Sequence, residues 1–346
     1  MEKLKLLSTG TNPQTVKESY VLPPELRPGN LKNSCKPIPV IDLGGGGGSS
    51  GDADESIINQ IYDAGRGFGC FQVVNHGIPE GLLDEIRRCA EGFFGLPVED
   101  KAGYCSDDPN RLPILSTGAA VYRSSGKSYW RDFLRLSCYP VEEFMHLYPE
   151  KPPEFRDAIT GYTVETRALA TRILRMIGKG LGLDENHFEG ALEGGQIRML
   201  VNHYPPCPDP SLTLGLPRHA DSSILTLLLQ RDVRGLQVLH GGSEWVEVEP
   251  LPNAIIVICG LPLEFFTNGL VRAAEHQVVT NASTTRTTIN MFVTPRRECL
   301  VAPSESLITD GTPRSYRSFS YAEFTEAHAA AEHDRRKTLD AFAIKR

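Results

Sequence analysis

Met199-Leu200-Val201-Asn202-His203-Tyr204-Pro205-Pro206 opens the part of the chain that decides the fold. An apolar-rich run of strand length is halted by two prolines, and the same grammar recurs downstream. Further β-type runs lie at Ile224–Leu229, Leu236–Leu239, Trp245–Val248, Ala254–Ile258, Gln277–Thr280 and Thr287–Val293, separated by Pro- and Gly-bearing turns. Many short strands with turn signals predict a sandwich or barrel.

Helices flank this core in the sequence. Pro37–Leu43 reads as a first strand, and Ala53–Phe68 as a helix with Ile57, Ile58, Ile61 and Tyr62 on one side. Cys70–Val74 reads as a strand closed by Asn75-His76-Gly77. Leu82, Leu83, Ile86, Ala90, Phe93 and Phe94 recur at helical spacing. A long helix is expected over 153–182, and residues 105–128 read as turn-rich. The expected organisation is an irregular lead-in over 1–36, a helix-and-strand region over 37–185, a β core over 198–300 and a helical tail over 315–346. The Gly/Ser run from Gly44 to Gly51 lacks the Gly-Lys-Ser/Thr ending of a phosphate-cradling loop and reads as a flexible surface loop.

The chain has 346 residues, 40% hydrophobic and 23% charged, the composition of a soluble globular protein. A net charge of −7 speaks against nucleic acid or an anionic membrane as the main partner. No apolar run approaches the roughly 18 residues that span a bilayer. The first residues lack a secretory signal, so the expected location is cytoplasmic. Eight scattered cysteines (35, 70, 89, 105, 138, 207, 259 and 299) form no CxxC pair and read as reduced thiols.

Chemistry concentrates in His219-Ala220-Asp221 and His276. In an extended strand, residues two apart point to one face, so His219 and Asp221 can reach one ion. Two imidazoles and a carboxylate leave half an octahedron open, the ligand set expected for a non-heme Fe(II) that activates O2. Zinc accepts the same donors, but the His-Glu-x-x-His spacing of a metallopeptidase is absent. Ten residues after His276 stands Arg286, with Thr288 on the same face. A guanidinium fork and a hydroxyl can hold a carboxylate. His203 and His76 have no partner at ligand spacing and read as a packed or surface residue and a turn residue.

At this point the chain resembles the plant Fe(II)- and 2-oxoglutarate-dependent dioxygenases. The resemblance is carried by Asn202-His203-Tyr204-Pro205-Pro206-Cys207-Pro208, Leu214–Asp221, Leu225–Gln230, Gly235–Val238 and Phe71–Gly77, and it extends from about residue 37 to residue 342. It implies a mainly β fold with flanking helices and a double-stranded β-helix (jelly-roll) core. It implies His219, Asp221 and His276 as iron ligands. It implies 2-oxoglutarate held by Arg286, Thr288, Tyr204 and Asn202, with O2 as co-substrate and ascorbate as reductant. Departures are Leu261 after Gly260, Gln277 after the distal His, and Glu264-Phe265-Phe266.

The segments Ser106–Pro109 and Tyr129–Pro140 resemble the branch that contains salicylate hydroxylases and flavanone 3-hydroxylase-like enzymes. That likeness implies a monomer acting on a phenolic, aromatic small molecule in flavonoid biosynthesis or salicylate metabolism. It places Phe133, Arg135, Leu200, Phe292 and Thr294 on the substrate side. The alternatives are a gibberellin- or auxin-type hormone oxidase and a catalytically silent relative that binds a small acid.

Overall fold

The computed structural model describes residues 6–9, 14–28, 37–44, 55–106, 108, 111–118 and 126–345. The Gly/Ser loop at 45–51 and Cys35 lie outside them. Twelve strands build the core: β1 (Val40–Asp42), β2 (Cys70–Val74), β3 (Ile114–Thr117), β4 (Asp132–Tyr139), β5 (Gln196–Tyr204), β6 (Leu214–His219), β7 (Leu225–Gln230), β8 (Leu236–His240), β9 (Glu244–Glu247), β10 (Ile255–Cys259), β11 (His276–Val279) and β12 (Arg286–Thr294). The major sheet runs β1-β2-β10-β7-β12-β5-β4-β3 and the minor sheet β6-β11-β8-β9. The strands before residue 140 thus extend the same sheet at both edges. This is the jelly-roll core with flanking helices.

The two faces of the major sheet carry different chemistry, as the period of two requires. Leu134, Leu136, Met199, Val201, Leu227, Leu229, Val257, Ile289 and Met291 point outward and are buried. They form one cluster with residues of helices α1 (Glu55–Gly67), α2 (Glu80–Gly95) and α3 (Phe155–Gly180), among them Ile61, Phe93 and Ile173. Each fully buried aliphatic or phenyl side chain contributes about 1.5–3 kcal/mol relative to exposure, so this layer is the main stabiliser of the sheet. A second cluster joins Leu228, Ile256 and Ile258 of the major sheet to Leu216, Leu236, Val238 and Val278 of the minor sheet, packing the two against each other.

Elements outside the sequence reading have physical reasons. β4 and β6 carry polar or Pro and Gly residues (Asp132 and Arg135; Gly215 and Pro217), which hide the strand pattern. Leu-Pro-Leu-Glu-Phe-Phe forms a short helix, α4 (Leu261–Phe266), buried along its whole length, so it has no amphipathic period to read. The strand argument for His219-x-Asp221 needs correction, because β6 ends at His219 and Asp221 lies in the loop beyond it. The seven described cysteines are free thiols, six buried and Cys105 partly so.

The tail folds into α5 (Tyr321–Ala330) and α6 (Arg335–Phe342). Ser320 and Asp334 cap them, accepting from the backbone N–H of Glu323 at 3.1 Å and of Lys337 at 2.8 Å. Phe324 and Phe342 meet Phe265 edge-on, and Glu264 receives Nε of Arg335 at 3.1 Å with Nη2 on its other oxygen. Glu264 and Phe265, two of the departures from the family pattern, are therefore the anchor of the C-terminal helices.

Candidate metal centre and co-substrate site

His219 and His276 meet because β6 and β11 pair antiparallel with these two residues directly opposite each other. Asp221 is drawn to them by its loop. The backbone N–H of Leu261 donates to the Asp221 carbonyl at 2.9 Å, and that of Gly260 donates to Ile224 at 3.0 Å. A Cβ on Gly260 would stand 1.8 Å from the Ser223 carbonyl oxygen, so only glycine allows this approach. Leu261 thus holds the Asp221 loop through its backbone and is itself buried.

The donor atoms of His219, Asp221 and His276 all lie within 4.8 Å of one another. Nε2 of His219 is 3.5 Å, and Nε2 of His276 3.8 Å, from Oδ1 of Asp221. Each Nδ1 faces a carbonyl, Pro217 at 2.8 Å and Ala274 at 3.1 Å. A carbonyl only accepts, so both Nδ1 atoms carry the proton and both Nε2 lone pairs aim at the carboxylate. Separations of 3.5–3.8 Å suit three donors around one ion at bonds of about 2.1 Å. Burial pushes the Asp221 carboxyl up, but His276, His219 and the Thr226 hydroxyl outweigh it and hold the group well below the usual carboxylate range. Thr226 donates to Oδ2 of Asp221 at 2.6 Å. Burial, then His219, pushes His276 down to about 4, so its imidazole is neutral at physiological pH. The donor set is ready for a hard divalent cation and fits Fe(II).

On the inner face of the major sheet, cross-strand register aligns three rows: Phe133–Asn202–Thr288–Gln230, Arg135–Leu200–Asn290–Leu228 and Ser137–Arg198–Phe292–Thr226. Arg286 pairs opposite Tyr204 one step above the first row. It is 3% exposed. Its Nε donates to the Val233 carbonyl at 3.1 Å and Nη2 to Gln230 at 2.7 Å, and its Cζ lies 5.4 Å from the Tyr204 ring centre. No carboxylate pairs with it among the described residues. A buried guanidinium with only neutral partners is a site for an anion, and the far carboxylate of 2-oxoglutarate fits it. Gly215 makes room for Tyr204, since a Cβ there would meet the ring at 2.7 Å. Asn202 is held by Nη1 of Arg131 at 2.6 Å.

A cavity of about 650 Å³ opens on the same face. Arg135, Leu200, Phe292 and Thr294 line it, with Ser222 from the metal loop and His328 from α5. Phe133 does not reach its wall, and the Arg131 guanidinium lies over its ring at 5.1 Å. Gln277 points away from the centre and bonds Gln237 at 2.8 Å, which accounts for that departure from the family pattern. His203 stacks on Phe94 at 4.5 Å, and His76 bonds Asn253 and the Ile78 N–H, so both are structural. The sequence reading missed Thr226, Gln230 and His328. Thr226 and Gln230 were readable as the polar residues at even spacing in an otherwise apolar strand. His328 carried no signal.

Two family models match the chain: the 2OG-Fe(II) oxygenase superfamily over residues 197–295, and the N-terminal region of non-haem dioxygenases described from morphine synthesis over 38–155. Flavanone 3-dioxygenase 2 of Oryza sativa subsp. japonica is 38% identical over 340 residues, 98% of this chain and 97% of that protein. Protein DOWNY MILDEW RESISTANCE 6 of Arabidopsis thaliana is 37% identical over 344 residues, 98% of each chain. The 2'-deoxymugineic-acid 2'-dioxygenase of Hordeum vulgare is 37% identical, covering 89% of this chain and 88% of that one. The crystal structure of JOX2 in complex with 2OG, Fe and JA superposes with a TM-score of 0.86 at 31% identity, over 98% of this chain and 96% of that one. With this site at its centre, the chain belongs to the 2OG-Fe(II) oxygenase superfamily and is a plant-type 2-oxoglutarate-dependent dioxygenase that uses Fe(II) and O2.

Proposed function

We propose that the protein hydroxylates or desaturates a phenolic plant metabolite of the flavanone or salicylate type. In this reading His219, Asp221 and His276 hold Fe(II), while Arg286, Thr288, Tyr204 and Asn202 hold 2-oxoglutarate. The bound iron supplies oxidation by O2, coupled to conversion of 2-oxoglutarate to succinate and CO2. The chain's own residues position and exclude. Thr226 fixes the Asp221 carboxylate, the two backbone carbonyls fix the imidazoles, and buried Arg286 would hold the far carboxylate of the co-substrate. Phe292 and Leu200 offer apolar surface to a planar ring, and α5 adds Tyr321, Thr325 and His328 to the cavity wall.

The observation that carries the reading is the buried imidazole–carboxylate–imidazole set of the minor sheet and its loop, together with an anion-seeking arginine and a ligand-sized cavity on the inner face of the major sheet. The similarity to flavanone 3-dioxygenase 2 supports the phenolic class. A second reading, a hormone-acid oxidase, is favoured by the likeness to JOX2 bound to JA and to the rice dioxygenase for auxin oxidation, 26% identical with a TM-score of 0.74 over 89% of this chain and all of that one. A panel of flavanones, salicylate and hormone acids, incubated with Fe(II), 2-oxoglutarate and ascorbate, separates the two. The phenolic reading requires a phenolic to gain one oxygen or lose two hydrogens with matching succinate release. Turnover confined to hormone acids would refute it.

A further inference from the structure

One row of residues on the inner face of the major sheet lies between the two halves of the site. Strand pairing sets Thr288 opposite Asn202 and Gln230, Asn290 opposite Leu200 and Leu228, and Phe292 opposite Arg198 and Thr226. Arg286 and Thr288 stand on one side of the middle row. Thr226, which donates to Oδ2 of Asp221, stands on the other. Alternate residues of a strand are about 6.6 Å apart along it. The middle row is therefore the step that a molecule joining the guanidinium to the metal ligands must cross. On the strands β5, β12 and β7 that row consists of Leu200, Asn290 and Leu228, so Asn290 is its one polar side chain there.

Asn290 is 9% exposed. Its Oδ1 is buried and has no hydrogen-bond partner among the described residues. The polar side chains around it are engaged elsewhere: Asn202 with Arg131, Gln230 with Arg286, and Thr226 with Asp221. Buried polar groups are nearly always paired, and an unpaired one lowers stability. In the wall of a ligand site, the missing partner is supplied by the ligand. A half-turn about the terminal torsion exchanges Oδ1 with the N–H2 group, so the position can serve an acceptor. The co-substrate decides which end is used. With its far carboxylate on Arg286 and Thr288, 2-oxoglutarate would reach toward the metal ligands with a 2-oxo group and a second carboxylate, and both only accept.

We infer that Asn290 is a further co-substrate residue, its amide N–H2 donating to an oxygen at the keto-acid end of 2-oxoglutarate. This rests on the reading that Arg286 and Thr288 hold the far carboxylate. The two anchors do different work. A flexible five-carbon chain fastened at one end is free to turn, and a donor at its second end removes that freedom before the metal engages it.

The test is titration calorimetry of 2-oxoglutarate into the full chain loaded with Fe(II), without O2 and without substrate. N290L keeps the branched shape and removes the donors. N290D keeps the shape and puts a charged acceptor in place of the N–H2. N290L should weaken 2-oxoglutarate roughly 10- to 100-fold, the loss of one hydrogen bond to a charged group. N290D should weaken it further, because it sets a carboxylate against the ligand's own. Stability is the second readout. Asn290 Oδ1 has no partner within the protein to lose, so N290L without co-substrate should unfold at a urea concentration no lower than the wild type does. Unchanged 2-oxoglutarate affinity in N290L overturns the inference, as does N290D binding as tightly as the wild type. A lower urea midpoint in N290L overturns it too, by giving Asn290 a role in the fold. R286Q separates the inference from the reading beneath it. Loss of affinity in R286Q with none in N290L sinks the inference alone, while wild-type affinity in R286Q sinks the anchor on which it rests.

Discussion

Replacing Arg335 by Ala tests how the C-terminal helices are fastened over the site. The Arg335 side chain is 17% exposed and the Glu264 side chain 4% exposed. The substitution leaves the Glu264 carboxylate buried with one remaining backbone donor, Ala273 N–H at 2.8 Å, and with Arg272 nearby. Removing one partner of a buried ion pair costs about 3–5 kcal/mol. The retained donor places the expectation at the lower end, about 3 kcal/mol. The loss should depend on pH with a definite sign. Burial already raises the Glu264 carboxyl above its ordinary value, and Arg335 opposes that rise. Without Arg335 the folded-state value climbs further, so the folded chain binds more protons than the unfolded one above the ordinary carboxylate range. Stability of the variant relative to wild type therefore falls as pH rises through that raised value and recovers toward acid pH. Urea unfolding at pH 5 and pH 8, with midpoints compared at constant slope, reads this directly. A loss under about 1 kcal/mol, or a loss equal at both pH values, would refute the reasoning. Adding E264Q to R335A removes the orphaned charge and should restore part of the stability.

Other outcomes follow from the same geometry. Thr226→Val removes the donor to Oδ2 of Asp221 and should weaken Fe(II) binding about 10- to 100-fold, measured by metal titration. Arg286→Gln should raise the KM for 2-oxoglutarate by the equivalent of about 2–5 kcal/mol, with little change in substrate binding to the free protein. The metal-free protein should lose stability as pH falls from 6.5 toward 4. Burial pushes His203, His276 and His333 down to about 4 and His328 to about 3, so each stays neutral when folded and takes a proton when unfolded. Denaturation midpoints at pH 7 and pH 5 check this, with the lower midpoint expected at pH 5.

The candidate ligands were legible in the sequence because a chelating pattern concentrates rare residue types in a strand-and-turn context. His219-x-Asp221, His276 and the Arg286-x-Thr288 pair stand out without any geometry. What brings them together was not legible. The opposition of His219 and His276 is a matter of register between strands some 57 residues apart, and register depends on pairing that no local pattern encodes. Asp221 reached its place through a loop held by the backbone of Gly260 and Leu261, where the sequence reading had assumed a strand. β4 escaped notice because its inner face carries the polar Arg135 and Ser137, which masks the alternation. His328 was invisible for a similar reason: its role comes from the tail folding back onto the sheet, and that depends on the Arg335–Glu264 pair and the aromatic cluster around Phe265. Glu264 and Gln277 looked like departures bearing on the pocket, and the structure gives each a local partner.

The central claim is that His219, Asp221 and His276 hold one Fe(II) beside a 2-oxoglutarate anchored by Arg286. Anaerobic titration of the full chain with Fe(II), followed by 2-oxoglutarate, tests it most directly. One ion should bind tightly per chain, 2-oxoglutarate binding should depend on iron, and both should be lost in D221A and in H276A while the fold persists by circular dichroism. Undiminished iron binding in a folded H276A protein would contradict it.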